Sequence, residues 1–294
     1  MATPELFELE LLGGPMERRY RRARPEVEAM PWGTLDPSDF PDNLVYAARK
    51  SWTRAAFQEY RTGTACALTV QALYEARAPL DLIALATRFP LDELVHVELT
   101  SRMAMELGGA IPIYMDPDNM IVRPIKESPV LRCADLVVRF FCVGEALSIP
   151  MLRGTWKASV HPLSKAVLGR IVKDEAAHGS FGWVFLDWAL PLLDEEEGPR
   201  AREILAQAAD ATIERVKSNW EHIRKQPAAP EAAIHALGWL ATDAYLELAK
   251  RSLERNVLKP LRDRGIPITS TSDDAPPRGG DEMAVDAADS VGTT

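Results

Sequence analysis

The pattern Asp-Glu-x-x-His occurs twice, as Asp92-Glu93-Leu94-Val95-His96 and as Asp174-Glu175-Ala176-Ala177-His178. On an α-helix, residues i and i+3 lie on one face, about 60° apart. Each copy therefore aligns a carboxylate with an imidazole, a pair able to bind one metal ion. Two such helices supply two Glu and two His. This constrains the fold strongly, because the helices have to face each other across a shared interior.

A dinuclear site needs more carboxylate. Four-helix di-metal proteins take one further Glu from each of two other helices. Glu59 and Glu145 stand at suitable distances, with 32 residues between Glu59 and Asp92 and 28 between Glu145 and Asp174. Both intervals suit an antiparallel helical hairpin. For Glu59 to face Glu93 and His96 the chain has to turn near residue 77, where Ala78-Pro79 stands. For Glu145 the turn falls near residue 161, at His161-Pro162. Proline breaks a helix and biases the residue before it away from the helical region. Glu75 sits too near the first turn to face His96. Burying four carboxylates and two imidazoles without cations would be prohibitively costly.

The rest of the chain reads as helix. Apolar residues recur at helical spacing from about Asp42 to Leu107, with a break near Pro79. A loop from Pro112 to Pro124 follows, then a second helical stretch from about Ser128 to Leu193, with breaks expected around Gly154 and at His161-Pro162. Two more helices fit residues 199–226 and 230–258. No strand-like alternation stands out, so the fold class is all-α. The expected organisation is an N-terminal arm (1–36), a helical domain (37–265) and a disordered tail (266–294), whose composition is rich in Asp, Pro, Gly, Ser and Thr. The arm carries Arg18, Arg19, Arg21, Arg22 and Arg24, which are suited to docking an acidic partner but are expected rather to pair with the protein's own acids.

The bulk properties narrow the function classes. A net charge of −9 disfavours nucleic acid as a partner. No apolar run is long enough for a membrane span, and Met1–Glu10, with three Glu, does not read as a secretory signal. Cys66, Cys133 and Cys142 lack a CxxC spacing and are read as reduced thiols of a cytoplasmic protein. Of the other histidines, His161 falls in a turn and His222 and His235 on the late helices. The aromatics Trp52, Phe57, Phe140, Phe141, Phe181, Trp183 and Trp188 are read as core, and Cys142, one turn before Glu145, as packing.

Glu followed 28–37 residues later by Asp-Glu-x-x-His, twice over, resembles the di-iron carboxylate proteins of the ferritin-like superfamily. The resemblance covers roughly residues 43–190. It implies a ferritin-like four-helix bundle at 43–190, to which the C-terminal helices read at 199–258 are additional. It implies that Glu59, Glu93, His96, Glu145, Glu175 and His178 ligate two Fe ions (Mn or mixed Mn/Fe being the alternatives). It also implies that Asp92 and Asp174 each bond the histidine of the opposite motif. The subfamilies differ at identifiable positions. Thr100 stands where the ribonucleotide reductase small subunit has a radical-forming Tyr, and Ile171 where arylamine N-oxygenases have an extra His. Ser148 lies near the place of the Thr that desaturases and multicomponent monooxygenases set beside the oxygen site, so it is a candidate proton relay; a mid-helix Ser also commonly bonds its own backbone.

The expected function is therefore that of an O2-dependent di-iron oxidase or oxygenase (hydroxylation, N-oxygenation or desaturation type), acting on a small or carrier-tethered organic substrate. The alternatives are a ferroxidase or iron-handling protein and a di-Mn or Mn/Fe oxidase. No nucleotide or flavin fingerprint appears, so electrons would come from a separate donor protein or from the substrate. A homodimer is compatible with the sequence.

Overall fold

A computed structural model describes residues 4–120, 122–223 and 229–272. The expected all-α class is what it shows: a helical bundle with almost no sheet. Four long helical rods enclose the interior. The first two are α3 (Asp42–Glu75) and α5 (Phe89–Glu106), linked through the short α4 (Leu80–Ala86). The third is continuous from Pro129 to Ala158. It comprises α6 (Pro129–Val137), a π-helical segment (Val138–Glu145) and α7 (Ala146–Ala158). The fourth is α8 (Pro162–Glu196).

The sequence accounts for these rods. α3 buries Leu44, Ala48, Trp52, Ala56 and, further on, Cys66, Thr69 and Leu73, a three-to-four-residue spacing that makes one apolar stripe. α8 starts at Pro162, where the missing N–H costs nothing, and His161 caps it by accepting from the Leu163 N–H at 3.2 Å. The two expected turns fall where the prolines place them.

Gly154 does not break the chain. α7 runs through it, because the glycine serves a close helix approach: a Cβ there would lie 2.5 Å from Leu248 Cδ2. The helix expected over 230–258 is instead divided into α10 (Glu231–Ala236) and α11 (Thr242–Ser252), the latter continuing through a second π-helical segment (Leu253–Leu258) into α12 (Lys259–Asp263). α9 (Pro199–Ile223) packs across the third rod and α11 packs on α7. A two-residue antiparallel pair, β1 (Glu5–Leu6) with β2 (Tyr114–Met115), was not anticipated.

The N-terminal segment is held against the bundle rather than standing off as an arm. It contains α1 (Gly14–Arg22) and α2 (Pro25–Glu28), and buries Val27 and Leu35. The Arg cluster pairs inward: Arg21 meets Glu17 at 2.8 Å and Glu28 at 2.7 Å, and buried Arg24 meets Glu98 of α5. At the other end, residues 266–272, expected to begin the tail, are also docked. Ile266 is buried, and Asp210 of α9 accepts from the Thr269 and Ser270 N–H groups at 2.9 and 3.0 Å. The remainder of the expected tail, 273–294, lies outside the described residues. Among the described residues no helix is long and apolar enough to cross a membrane.

Candidate metal centre

All six sequence-predicted ligands meet in the middle of the bundle. α3 contributes Glu59, α5 contributes Glu93 and His96, the end of the first π segment contributes Glu145, and α8 contributes Glu175 and His178. They form two overlapping quartets. Glu59, Glu93, His96 and Glu175 each bring one ligand atom within 4.8 Å of the others, and so do Glu93, Glu145, Glu175 and His178. Glu93 and Glu175 belong to both, which is where carboxylates bridging two ions would stand.

The histidines are oriented alike. Nδ1 of His96 lies 3.3 Å from Glu175, 3.6 Å from Glu93 and 3.8 Å from Glu59. Nδ1 of His178 lies 2.9 Å from Glu175 and 3.3 Å from Glu93. The opposite ring nitrogens face the aspartates of the other motif, His96 Nε2 to Asp174 at 3.4 Å and His178 Nε2 to Asp92 at 3.6 Å. These are ion-pair rather than ordinary hydrogen-bond distances, but the crossed arrangement is the one the resemblance implies. The aspartates are in turn held by arginines. Arg88 meets Asp92 at 2.9 Å and Asp174 at 3.5 Å, and Arg170 meets Asp174 at 2.7 Å.

The donor set fits two divalent cations. Both carboxylate oxygens of Glu93, Oε2 of Glu175 and both ring nitrogens of His96 and His178 are buried without a hydrogen-bond partner, a costly state for polar atoms unless something else satisfies them. Arg88 and Arg170 offset the two aspartates. That leaves four carboxylates beside two neutral imidazoles, a charge that two divalent ions would cancel. An all-oxygen-and-nitrogen set of this kind suits Fe or Mn.

With protein groups alone, the electrostatics is under visible stress. Burial pushes Glu59 up to about 8 and Glu145 well above the carboxylate range. Burial also acts upward on Glu175, but its contacts with His178 and His96 outweigh it and bring it to about 2. Burial would lower both histidines, yet the surrounding carboxylates raise His178 to about 12 and His96 well above its usual value. The imidazoles thus act as the cations of the cluster, a role a bound metal would take from them.

The other predicted residues are placed as follows. Ser148 Oγ donates to Glu145 Oε2 at 3.0 Å and also approaches the Glu145 carbonyl at 3.3 Å, so it touches the centre through a ligand carboxylate. Thr100 bonds back to the His96 carbonyl at 2.7 Å, and Ile171 is core. Glu75 points away and pairs with Arg132 at 2.9 Å. His235 faces Glu231 at 3.6 Å; the side chain of His222 lies outside the described residues. All three cysteines are free and buried. The thiol nearest the ligands is Cys66, which burial and the charges of Glu93, Glu145, Glu175 and Glu59 together push up. Cys142 packs away from them, against Gly182.

Four contributors escaped the sequence reading. Arg88 and Arg170 each stand four residues before an Asp of the motif, so the true repeat is Arg-x-x-x-Asp-Glu-x-x-His; the signal was present and unread. Gly63 follows Glu59 by one turn, and a Cβ there would sit 3.3 Å from Glu93 Cβ, so glycine lets α3 approach α5 at the centre. The Phe89 ring lies 4.2 Å from the His178 ring and meets Phe141 and Phe181 at 5.5 and 5.3 Å. These rings screen the second quartet from water. No protein-family model matches the chain, and no curated protein sequence matches it. The class that fold and site define is an all-α helical bundle with a buried carboxylate and histidine cluster that could hold metal.

Proposed function

We propose that this chain is a di-metal carboxylate protein of the ferritin-like superfamily that uses O2 to oxidise an organic substrate. The supporting observation is the pair of quartets sharing Glu93 and Glu175, all buried apart from Glu59. Glu59, His96, Glu145 and His178 would complete the two ion sites. When bound as ferrous iron, the pair would supply electrons to reduce O2.

The chain's own residues set the conditions. With metal bound, Asp174 and Asp92 would keep the proton on Nε2 of His96 and His178, which leaves each Nδ1 lone pair for an ion. Ser148 donates to Glu145, fixing one carboxylate oxygen and holding a proton at the edge of the second quartet. Phe89, Phe141 and Phe181 exclude water on the His178 side. Glu59 is the more open ligand, its side chain 18% exposed against 0% for Glu93 and both histidines. Insertion of one oxygen atom into substrate consumes two electrons and two protons and releases water, so a donor protein or the substrate itself supplies the reducing equivalents.

Elemental analysis of protein purified without added metal, followed by O2 uptake after anaerobic ferrous loading, tests the reading. About two Fe or Mn per chain is expected, lost in His96→Ala and His178→Ala, with O2 consumed at about one per ion pair in the absence of a reductant. Absence of metal after reconstitution would sink it. Continued oxidation of many irons per chain would replace it with an iron-handling role.

A further inference from the structure

A cleft of about 730 Å3 runs along the contact between α7 and α11. Its rim carries Arg153, Lys157, Arg251 and Arg255. That is an unusual concentration in a chain of net charge −9. Arg251 faces Glu247 at 3.8 Å, while Arg153, Lys157 and Arg255 have no ion-pair partner among the described residues. Ile149, Leu240 and Leu248 give the cleft an apolar stretch, beside the polar Glu247, Ser252 and Asn256. Arg255 comes from the second π-helical segment, Leu253–Leu258. The other π segment ends on Glu145. Such geometry is rare and concentrates at functional sites.

Ile149 joins this cleft to the centre. It follows Glu145 by one turn, and Ser148 before it bonds the Glu145 carboxylate. Its Cδ1 lies 2.7 Å from where a Cβ on Gly179 would be, one residue past His178. One side of Ile149 therefore lines the cleft, while its tip reaches α8 at Gly179, the residue after His178.

We infer that the cleft between α7 and α11 binds an amphiphilic carboxylate, its head held by Arg153, Lys157 and Arg255 and its apolar body lying along Ile149 and Leu248 toward Glu145. This rests on the oxidase reading only in making that molecule the substrate; the binding site stands on the cleft's own charge and lining.

Calorimetric titration of the full chain with dodecanoate, dodecanol and inorganic phosphate tests it. Dodecanoate is expected to saturate one site at least about tenfold more tightly than either control, since only it satisfies both the cations and the apolar stretch. Arg153→Glu combined with Arg255→Glu, both exposed, should weaken dodecanoate at least about tenfold and leave dodecanol unchanged. If that pair perturbs the circular dichroism spectrum, the single Arg153→Ala and Arg255→Ala variants should each weaken it about threefold. Equal binding of dodecanol, indifference to the charge changes, or no saturable binding overturns the proposal. In cobalt-loaded protein, saturating dodecanoate should shift the visible absorption; no shift would remove the path past Ile149. A chain that binds dodecanoate but holds no metal would sink the oxidase reading and leave the cleft. One that holds about two ions and ignores dodecanoate would do the reverse.

Discussion

The two halves of the centre are built from the same nine-residue repeat and end in different surroundings. In the first half, Glu59 is partly exposed on a regular α-helix, and Nδ1 of His96 lies within 3.8 Å of three carboxylates. In the second half, Glu145 is buried at the end of a π-helical segment, accepts from Ser148, and stands near a histidine covered by Phe89. The position corresponding to Phe89 in the second repeat is Ile171. The repeat sets which groups converge, and the residues around it set how wet each half is. The first half thus carries the more exposed carboxylate, and the second is covered by aromatic rings.

The largest expected effect breaks the symmetry between shared and unshared ligands. Glu175→Ala removes a carboxylate from both quartets and should reduce bound metal to a small fraction of one ion per chain. Glu59→Ala touches one quartet and should leave about one ion. Metal analysis after dialysis distinguishes them, and equal losses would mean that the ions bind only as a pair. Both variants should keep the helical circular dichroism spectrum, because the apolar clusters that hold the rods together do not include these two side chains.

How much of this was legible beforehand follows from what each signal measures. The rods and their two turns could be read, because proline and helical periodicity act locally. The convergence of the six candidate residues could be read because helical spacing, hairpin length and charge balance all constrain the same positions. The break within 230–258 was missed because Gly238, which takes a φ of +82° just past the end of α10, was not read as a helix-ending glycine. Gly154 was misread, since a glycine that ends a helix and one that admits a neighbouring Leu248 look alike until the neighbour is in place. The docking of residues 266–272 depends on Asp210, some sixty residues earlier, and composition alone does not reveal such a partner. The long-range contacts of Phe89 and the cationic cleft are invisible to any local reading.

The insulation of the second half has a measurable cost when removed. Phe89 is fully buried among Phe141, Phe181 and the His178 ring. Phe89→Ala should destabilise the chain by about 3–5 kcal/mol, the range for deleting a buried aromatic ring, as read by denaturant unfolding. It should also admit water beside His178. Ile171→Ala, its counterpart, should fall within about 2–5 kcal/mol but leave the second quartet dry. Solvent-proton relaxation with a paramagnetic ion bound reads that difference, and an equal relaxation gain in both variants would erase the proposed contrast between halves.

The smallest effect concerns the arginines that the two repeats share. They occupy equivalent positions, yet Arg170 is 17% exposed and Arg88 54% exposed. An ion pair in water contributes little, whereas one screened from water orients its partner more firmly. Arg170 also reaches Asp174 at 2.7 Å while pairing with Glu26 of the N-terminal segment, so it ties that segment to the aspartate facing His96. Arg170→Gln should therefore weaken metal retention by about tenfold, at the lower end for groups that hold a ligand in place. Arg88→Gln should weaken it by about threefold or less, because water replaces much of what the exposed guanidinium supplies. Competition with a chelator of known affinity measures both. If Arg88→Gln proved the more damaging, its reach to both Asp92 and Asp174 would outweigh its exposure, and the aspartates would have to be treated as one coupled pair rather than as a separate prop for each half.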